Sequence, residues 1–367
     1  LPEDDKGHDA SVLVELGWDS YFSAEFGKLD RPDLVPARVV NQARDSYRVH
    51  GADGDVAAMS SGRILHDSAM GGLCPAVGDW VAVRPAGAGG TAVMEAVLPR
   101  KSTFSRKVPG SRTEEQVVAA NIDLAFIVSG LDGGRNLNLR RIERYLTLTW
   151  ASGASPVVVL NKADLAADIP SHIEDIRRAA GEVPVLATSA TEGLGLDVLK
   201  EHLVRGTTGA FLGPSGVGKS SIINALLGEQ RLKVGEVRRR SFRGRHTTSH
   251  RELFLLPGSG AVIDTPGIRE IQLWADEDAL SGAFPDIERL ADGCRFSDCT
   301  HESEPGCAVR NAVEAGKLDA ERLGSYLKLK KEVRYLELHQ EGRARLEHKA
   351  KWKQISKWAK SFHRLRG

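Results

Sequence analysis

The residues of this chain best arranged for chemistry form the run Gly213-Pro214-Ser215-Gly216-Val217-Gly218-Lys219-Ser220, followed by Ser221. It satisfies G-x-x-x-x-G-K-[S/T] in full. The apolar stretch before it predicts a strand, and the stretch after it a helix over Lys219–Leu227. Glycines at 213, 216 and 218 permit backbone angles that turn a row of N–H groups inward around phosphate oxygens. The N-terminus of the following helix adds partial positive charge. Lys219 is then placed to bridge β- and γ-phosphates, and the Ser220 hydroxyl to bind Mg²⁺. This chemistry is that of a nucleoside triphosphate site.

Two further segments, each directly after a predicted strand, read the base. Asn161-Lys162-Ala163-Asp164 offers a carboxylate, Asp164, that accepts hydrogen bonds from guanine N1–H and its exocyclic amine. Adenine offers neither donor, and the carboxylate would lose its partners against it. Asn161 can tie this loop to the phosphate loop, while the stem of Lys162 can cover the base face. Ala187-Thr188-Ser189-Ala190 comes after the next strand, where a backbone N–H can meet guanine O6. Asp264-Thr265-Pro266-Gly267 ends a later strand, with Asp264 suited to hold Mg²⁺ through water and the Gly267 N–H to sense the γ-phosphate. Between phosphate loop and Asp264 lies a polar, basic stretch containing His246, Thr247 and Thr248. It fits a switch loop whose threonine completes the Mg²⁺ shell. We favour Thr248 over Thr247 for that role.

The order along the chain is base recognition, phosphate loop, switch threonine, Asp264, whereas conventional GTPases place base recognition last. A circular permutation keeps the sheet and moves the termini. On these motifs, together with PAVGDWVAV near residue 80 and a cysteine–histidine cluster, the chain resembles ribosome small-subunit-dependent GTPase A, a family of circularly permuted bacterial GTPases. The resemblance implies an N-terminal oligonucleotide-binding barrel, a GTPase core and a zinc domain. It also implies slow GTP hydrolysis stimulated by the small ribosomal subunit, whose late maturation the protein assists through contacts with rRNA. Many GTPases place a Gln directly after the glycine of this last motif to orient water. Here Ile268 stands there, and an isoleucine cannot align water. His246 is our candidate for the catalytic group, supported by the resemblance; contact with backbone or RNA phosphate is the competing role. Ile268 also motivates a rival reading, a GTP-binding RNA scaffold with negligible hydrolysis. A second rival is a permuted GTPase acting on another RNA or on the large subunit.

Cys294, Cys299, His301 and Cys307 place three thiols and one imidazole within fourteen residues. Three thiolates and one histidine complete a tetrahedral shell, which suits one structural Zn²⁺ with no open coordination position. Cys74 stands alone and receives no role.

These groups need a scaffold. Short β-rich runs at Ala37–Val40, Ser46–His50, Asp55–Met59, Trp80–Val83 and Ala92–Val97 are separated by turn residues. They predict a small barrel of oligonucleotide-binding or SH3-like type. From about residue 121 to 270, strands alternate with helices, which predicts a sheet covered on both faces with ligands beyond the carboxyl ends of its strands. Leu318–His339 reads as helical, and Gly342 separates it from a final basic helix. The expected fold is therefore multidomain: residues 1–35 an acidic arm of weak periodicity, 36–110 an OB-like β-barrel, 111–272 a circularly permuted α/β P-loop GTPase domain, and 273–367 an α-helical zinc-binding domain.

Across 367 residues the net charge is only +1, yet residues 1–30 carry eight Asp/Glu against two Lys, and residues 343–367 nine Lys/Arg against Glu347 alone. The basic end suits RNA phosphate. Its Trp352, Ile355, Ala359 and Phe362 recur at helical spacing and form a stripe for packing. No apolar run approaches the ~20 residues of a membrane span. The acidic start lacks the pattern of a secretory signal. We expect a cytoplasmic monomer that binds GTP or GDP, Mg²⁺, Zn²⁺ and the small subunit with its rRNA, and no membrane.

Overall fold

The computed structural model describes residues 10–335 and Leu338, apart from 44–45, 71, 88–89, 108–114, 134–135, 233–250 and 265–276. Five strands build the barrel: β1 (Val35–Ala43), β2 (Ser46–Gly51), β3 (Gly54–Ser60), β4 (Trp80–Arg84) and β5 (Ala92–Val97). The expected five are all present, with β1 starting two residues earlier than Ala37. The order β1-β2-β3-β5-β4 closes by a β1–β4 pairing, with β3 and β5 parallel and the other pairs antiparallel. A helix, α3 (Gly62–Ala69), connects β3 to β4 and drops Ile64 into the barrel beside Val39, Val49, Val81 and Met94. This topology is the oligonucleotide-binding barrel.

The second unit is a sheet of six strands in the order β10-β9-β8-β11-β13-β12. They are β8 (Leu124–Gly130), β9 (Ser155–Asn161), β10 (Val185–Ala187), β11 (Thr208–Leu212), β12 (Arg251–Leu255) and β13 (Ala261–Asp264). All neighbours are parallel except β12 and β13. The parallel strands are nearly continuous apolar runs, as burial on both faces demands. Helices α4 (Leu139–Ser152), α5 (Ile169–Ala180), α6 (Leu196–His202) and α7 (Lys219–Leu227) connect them. Asn138 caps α4 by accepting from Arg141 N at 3.0 Å, and Gly153 ends it at φ 84°. A hairpin of β6 (Thr103–Lys107) and β7 (Glu115–Ala120), not expected from the sequence, leads from barrel to sheet.

The two units share hydrogen bonds. β1 leaves the barrel and pairs with β12, placing Asn41 opposite Glu252 and Gln42 opposite Arg251. A register shift between Val39 and Asn41, of the kind that bends a strand, accompanies this double duty. Arg38 of β1 is wholly buried at the junction. Its guanidinium donates to Gly78 O (3.1 Å), Asn121 O (2.8 Å), Thr208 Oγ1 (2.8 Å) and Leu16 O. Burial lowers its pKa to about 10, against the opposing pull of the Asp123 and Asp79 carboxylates.

The sequence reading of residues 1–35 as an arm needs correction for its second part. α1 (Ala10–Glu15) and α2 (Ser20–Gly27) are formed and packed. Asp19 caps α2 by accepting from Tyr21 N and Phe22 N, and Trp18 meets Trp80 edge-on at 4.7 Å. Leu16 and Phe22 are buried. The apolar periodicity of two such short helices is too brief to register against so acidic a stretch.

After the sheet come α8 (Glu277–Ala283), α9 (Pro285–Ala291) and α10 (Ala308–Glu314), then a helix over residues 320–335, here α11. α8 lies on α4, with Gly282 close against the Trp150 ring. Arg322 of α11 clamps the group, donating to both oxygens of Asp286 (2.6 and 2.7 Å) and to Glu143 of α4 (2.9 Å).

Candidate functional site

β11 runs parallel between β8 and β13 and delivers Gly213 to the carboxyl edge of the sheet. From there the chain curls through Gly213 (φ 141°), Gly216 (φ 83°) and Gly218 (φ 97°) into α7. Two of these glycines are required by space as well as by φ. A Cβ at 213 would stand 2.4 Å from Val128 O, and one at 218 only 2.2 Å from Asn161 Nδ2. Val217 is buried beneath the loop, Ser215 is exposed, and Pro214, Ser220 and Ser221 are half-buried. Lys219 Nζ donates to Gly213 O (2.8 Å) and Pro214 O (2.6 Å), so the ammonium lies within the curl of the loop. At the end of β13, Asp264 faces the same region. Burial pushes its carboxyl up, the Lys219 ammonium draws it down, and Glu252, its cross-strand partner, pushes it up.

The base-reading segments converge on this loop through one side chain. Asn161, last residue of β9 and buried, donates from Nδ2 to Val217 O of the phosphate loop at 2.8 Å. Its Oδ1 accepts from Thr188 Oγ1 and from Ala190 N, both at 3.2 Å. Three loops separated by up to 56 residues are thereby tied at one amide. Ser189 is buried and its N–H donates to Leu194 O at 2.9 Å. Asp164 sits in a 3-10 turn (Ala163–Leu165) with its carboxylate exposed. Lys162 adopts the left-handed conformation, φ 64°, which side-chain-bearing residues enter only when the surroundings impose it. Its ammonium meets Asp132 at 2.6 Å, and Asp132 also accepts from Asn136. Asp132 and Asn136 belong to no motif visible in the sequence.

The cysteine–histidine cluster forms a second centre away from the sheet. The ligand atoms of Cys294, Cys299, His301 and Cys307 all lie within 4.8 Å of one another. Cys294 Sγ is 3.9 Å from Cys307 Sγ, and His301 Nδ1 is 3.7 and 3.5 Å from those sulfurs. A tetrahedral Zn²⁺ site has edges of about 3.8 Å between sulfurs and about 3.6 Å from sulfur to nitrogen, given the usual bond lengths. The donor set and its spacing therefore fit that ion. Burial keeps the His301 pKa below its ordinary value, so the imidazole is neutral and its lone pair available. Cys307 also caps α10, accepting from Arg310 N at 3.4 Å, and so connects the cluster to the helices. No disulfide is formed.

A family model described as RsgA GTPase matches residues 97–274. The small ribosomal subunit biogenesis GTPase RsgA of Opitutus terrae is 45% identical over 97% of this chain and 99% of its own length. The protein of that name from Syntrophotalea carbinolica is 42% identical over 97% of this chain and 99% of its own. This chain belongs to the RsgA GTPase family. Among solved structures, YjeQ from Thermotoga maritima superposes with a TM-score of 0.63 at 29% identity, covering 82% of this chain and 98% of that one. YloQ, described as a circularly permuted GTPase, gives 0.58 at 25% identity, covering 82% and 95%. The permuted fold read from motif order is the fold observed: an OB-like barrel, a permuted GTPase sheet, and a helical unit with a cysteine–histidine cluster.

For this RsgA-family chain the structure brings Asn161, Lys162, Asp164, Ser189, Ala190, the loop 213–221 and Asp264 to one edge of the sheet. His246, Thr248 and Gly267 lie outside the described residues, as do Thr247, Ile268 and the basic segment beyond Gly342.

Proposed function

We propose that this RsgA-family GTPase binds and hydrolyses GTP while docked on the small ribosomal subunit and its rRNA, and assists the late maturation of that subunit. The observation that carries the reading is the amide of Asn161, which holds the phosphate loop, the Lys162–Asp164 loop and the Ser189–Ala190 loop in one constellation. A phosphate cradle and a guanine-reading carboxylate fastened to each other define a single guanosine triphosphate site. The curated relatives carry small ribosomal subunit biogenesis in their names, which supplies the partner.

In this reading the backbone of residues 213–218 cradles the phosphates. Lys219 leaves its two carbonyls for the β- and γ-oxygens. Ser220, Thr248 and Asp264 would hold Mg²⁺; the raised pKa of Asp264 records a carboxylate whose burial a cation would offset. Mg²⁺ supplies neutralisation of the charge that develops on the transferred phosphoryl group. Asp164 accepts from guanine, and the Ala190 N–H, which donates to Asn161 Oδ1 at 3.2 Å, is shared with O6. Gly267 senses the γ-phosphate. His246 orients the attacking water where Ile268 cannot, so turnover is slow until the subunit completes the site. Cys294, Cys299, His301 and Cys307 hold one structural Zn²⁺. We divide the chain into an N-terminal segment (1–35) that includes the packed helices α1 and α2, a barrel (36–110), a GTPase domain (111–272) and a zinc domain (273–367), and a cytoplasmic monomer suits the role. Among the described residues no helix is long and apolar enough to cross a membrane.

The test is sedimentation of the protein with purified small subunits in GDP or a nonhydrolysable GTP analogue, paired with turnover measurements. The reading expects co-sedimentation with the analogue, release with GDP, and turnover accelerated by small subunits. His246→Ala should slow single-turnover hydrolysis with little change in GTP affinity. Enrichment on large subunits, or hydrolysis indifferent to small subunits, would contradict it.

A further inference from the structure

Beside the predicted motifs lies a short loop that the sequence did not single out. Leu131, the first residue after β8, donates its N–H to Asn161 O at 2.8 Å, which fixes the start of that loop against the base-reading segment. The next residue, Asp132, receives Lys162 Nζ at 2.6 Å. Asn136 Nδ2 holds both oxygens of the same carboxylate, at 3.0 and 2.8 Å. Lys162 is thus fixed at both ends, its backbone by the left-handed conformation and its ammonium by a carboxylate that is itself held in place. Hydrogen bonding from Lys162 draws the Asp132 carboxyl below the usual carboxylate range against the opposing effect of burial, as expected for an ionised partner.

We infer that Asp132 is a positioning residue for guanine recognition, acting through Lys162, whose stem it fixes beside the base before the nucleotide arrives. The inference rests on the nucleotide site proposed above. A lysine free to sample its many rotamers must give up that freedom when a ligand packs on it, which subtracts from affinity. One already held by Asp132 and Asn136 has little left to lose. The ion pair is partly exposed, so its worth to global stability is small. Its effect belongs to binding, and to the guanosine end of the ligand, so GDP and GTP should feel it equally.

The experiment measures GDP and GTP affinity by calorimetry, and the dissociation rate of a fluorescent GDP, for the full chain and for Asp132→Ala, Lys162→Ala and the double variant. Asp132→Ala should weaken both nucleotides by the same ~3- to 10-fold, the scale of one immobilised flexible side chain. In the Lys162→Ala background the same change should add less than ~2-fold, because the group it positions is gone. Equal losses in the two backgrounds, no loss when Lys162 is present, or a loss for GTP alone would overturn the proposal. Asp132→Asn, which keeps the volume but removes the charge that holds the Lys162 ammonium, carries the same comparison if the alanine variant fails to fold. A wild-type chain holding ADP as tightly as GDP would overturn the guanine reading first, and the proposal with it.

Discussion

Replacing Asn161 should disable the nucleotide site without touching the nucleotide's phosphates or base. The amide makes three hydrogen bonds, one at 2.8 Å to Val217 O and two at 3.2 Å from Thr188 and Ala190. At a net ~0.5–1.5 kcal/mol each, their loss in Asn161→Ala comes to roughly 1.5–4.5 kcal/mol. That corresponds to a ~10- to 2,000-fold weaker dissociation constant, with ~100-fold as the central expectation. Phosphate loop and base loops serve diphosphate and triphosphate alike, so GDP and GTP should weaken together. Asn161→Asp has nearly the same shape but turns a second acceptor toward Val217 O and buries a charge. It should bind as poorly as the alanine variant or worse. Equilibrium titration with fluorescent GDP and a fluorescent nonhydrolysable GTP analogue measures both. A change under ~3-fold, a loss confined to GTP, or normal binding by Asn161→Asp would refute the claim that this side chain fastens the loops.

Metal removal should act on the helical unit. One equivalent of zinc is expected in the purified protein and none in Cys307→Ser, which should also lower the melting temperature through loss of the metal alone, since serine still caps α10. A metal-free variant that melts like wild type would argue against a structural ion. Arg38→Met should destabilise the junction of barrel and sheet by about 3–5 kcal/mol, since four buried acceptors lose a charged donor while only the cost of burying the charge is recovered. Urea denaturation followed by tryptophan fluorescence reads this, and a loss under ~1 kcal/mol would contradict it. The pH dependence has a definite sign at Asp286. Burial raises its pKa, but the paired bonds from Arg322 outweigh burial and hold it below 3.8. Stability from the pair is therefore complete above the unfolded value of 3.8 and lost as pH falls through the lower folded value. The wild-type advantage over Asp286→Asn in melting temperature should be constant at neutral pH and shrink below about pH 4. An advantage that grows on acidification would reverse the sign.

Motif residues were legible because their chemistry is local. The curl from Gly213 to Lys219 and the turn at Lys162–Asp164 each follow a short apolar strand, and backbone sterics alone demand glycine at 213 and 218. The barrel strands could be read from alternation and turn residues. What joins the units could not. β1 pairs with β12 about 210 positions later, and nothing in the local pattern of Asn41 or Gln42 announces it. Arg38 reads as an ordinary strand residue, since its burial depends on acceptors from Leu16, Gly78, Asn121 and Thr208, which only the folded chain assembles. Asp132 stayed invisible for a related reason: a carboxylate after a strand has no signature until Lys162 is seen to reach it. Helices α1 and α2 were missed because six and eight residues give too little periodicity, and the cap at Asp19 was masked by surrounding acid.

The most direct measurement compares GTP, ATP and xanthosine triphosphate binding to wild type and Asp164→Asn. Xanthine carries a carbonyl where guanine carries its exocyclic amine, so it needs a donor where guanine needs an acceptor. A carboxylate at 164 that reads the base predicts wild type binding GTP far more tightly than ATP or xanthosine triphosphate, and the variant losing GTP while gaining the xanthine nucleotide. Unchanged preferences in the variant, or wild type that holds ATP as tightly as GTP, would contradict it.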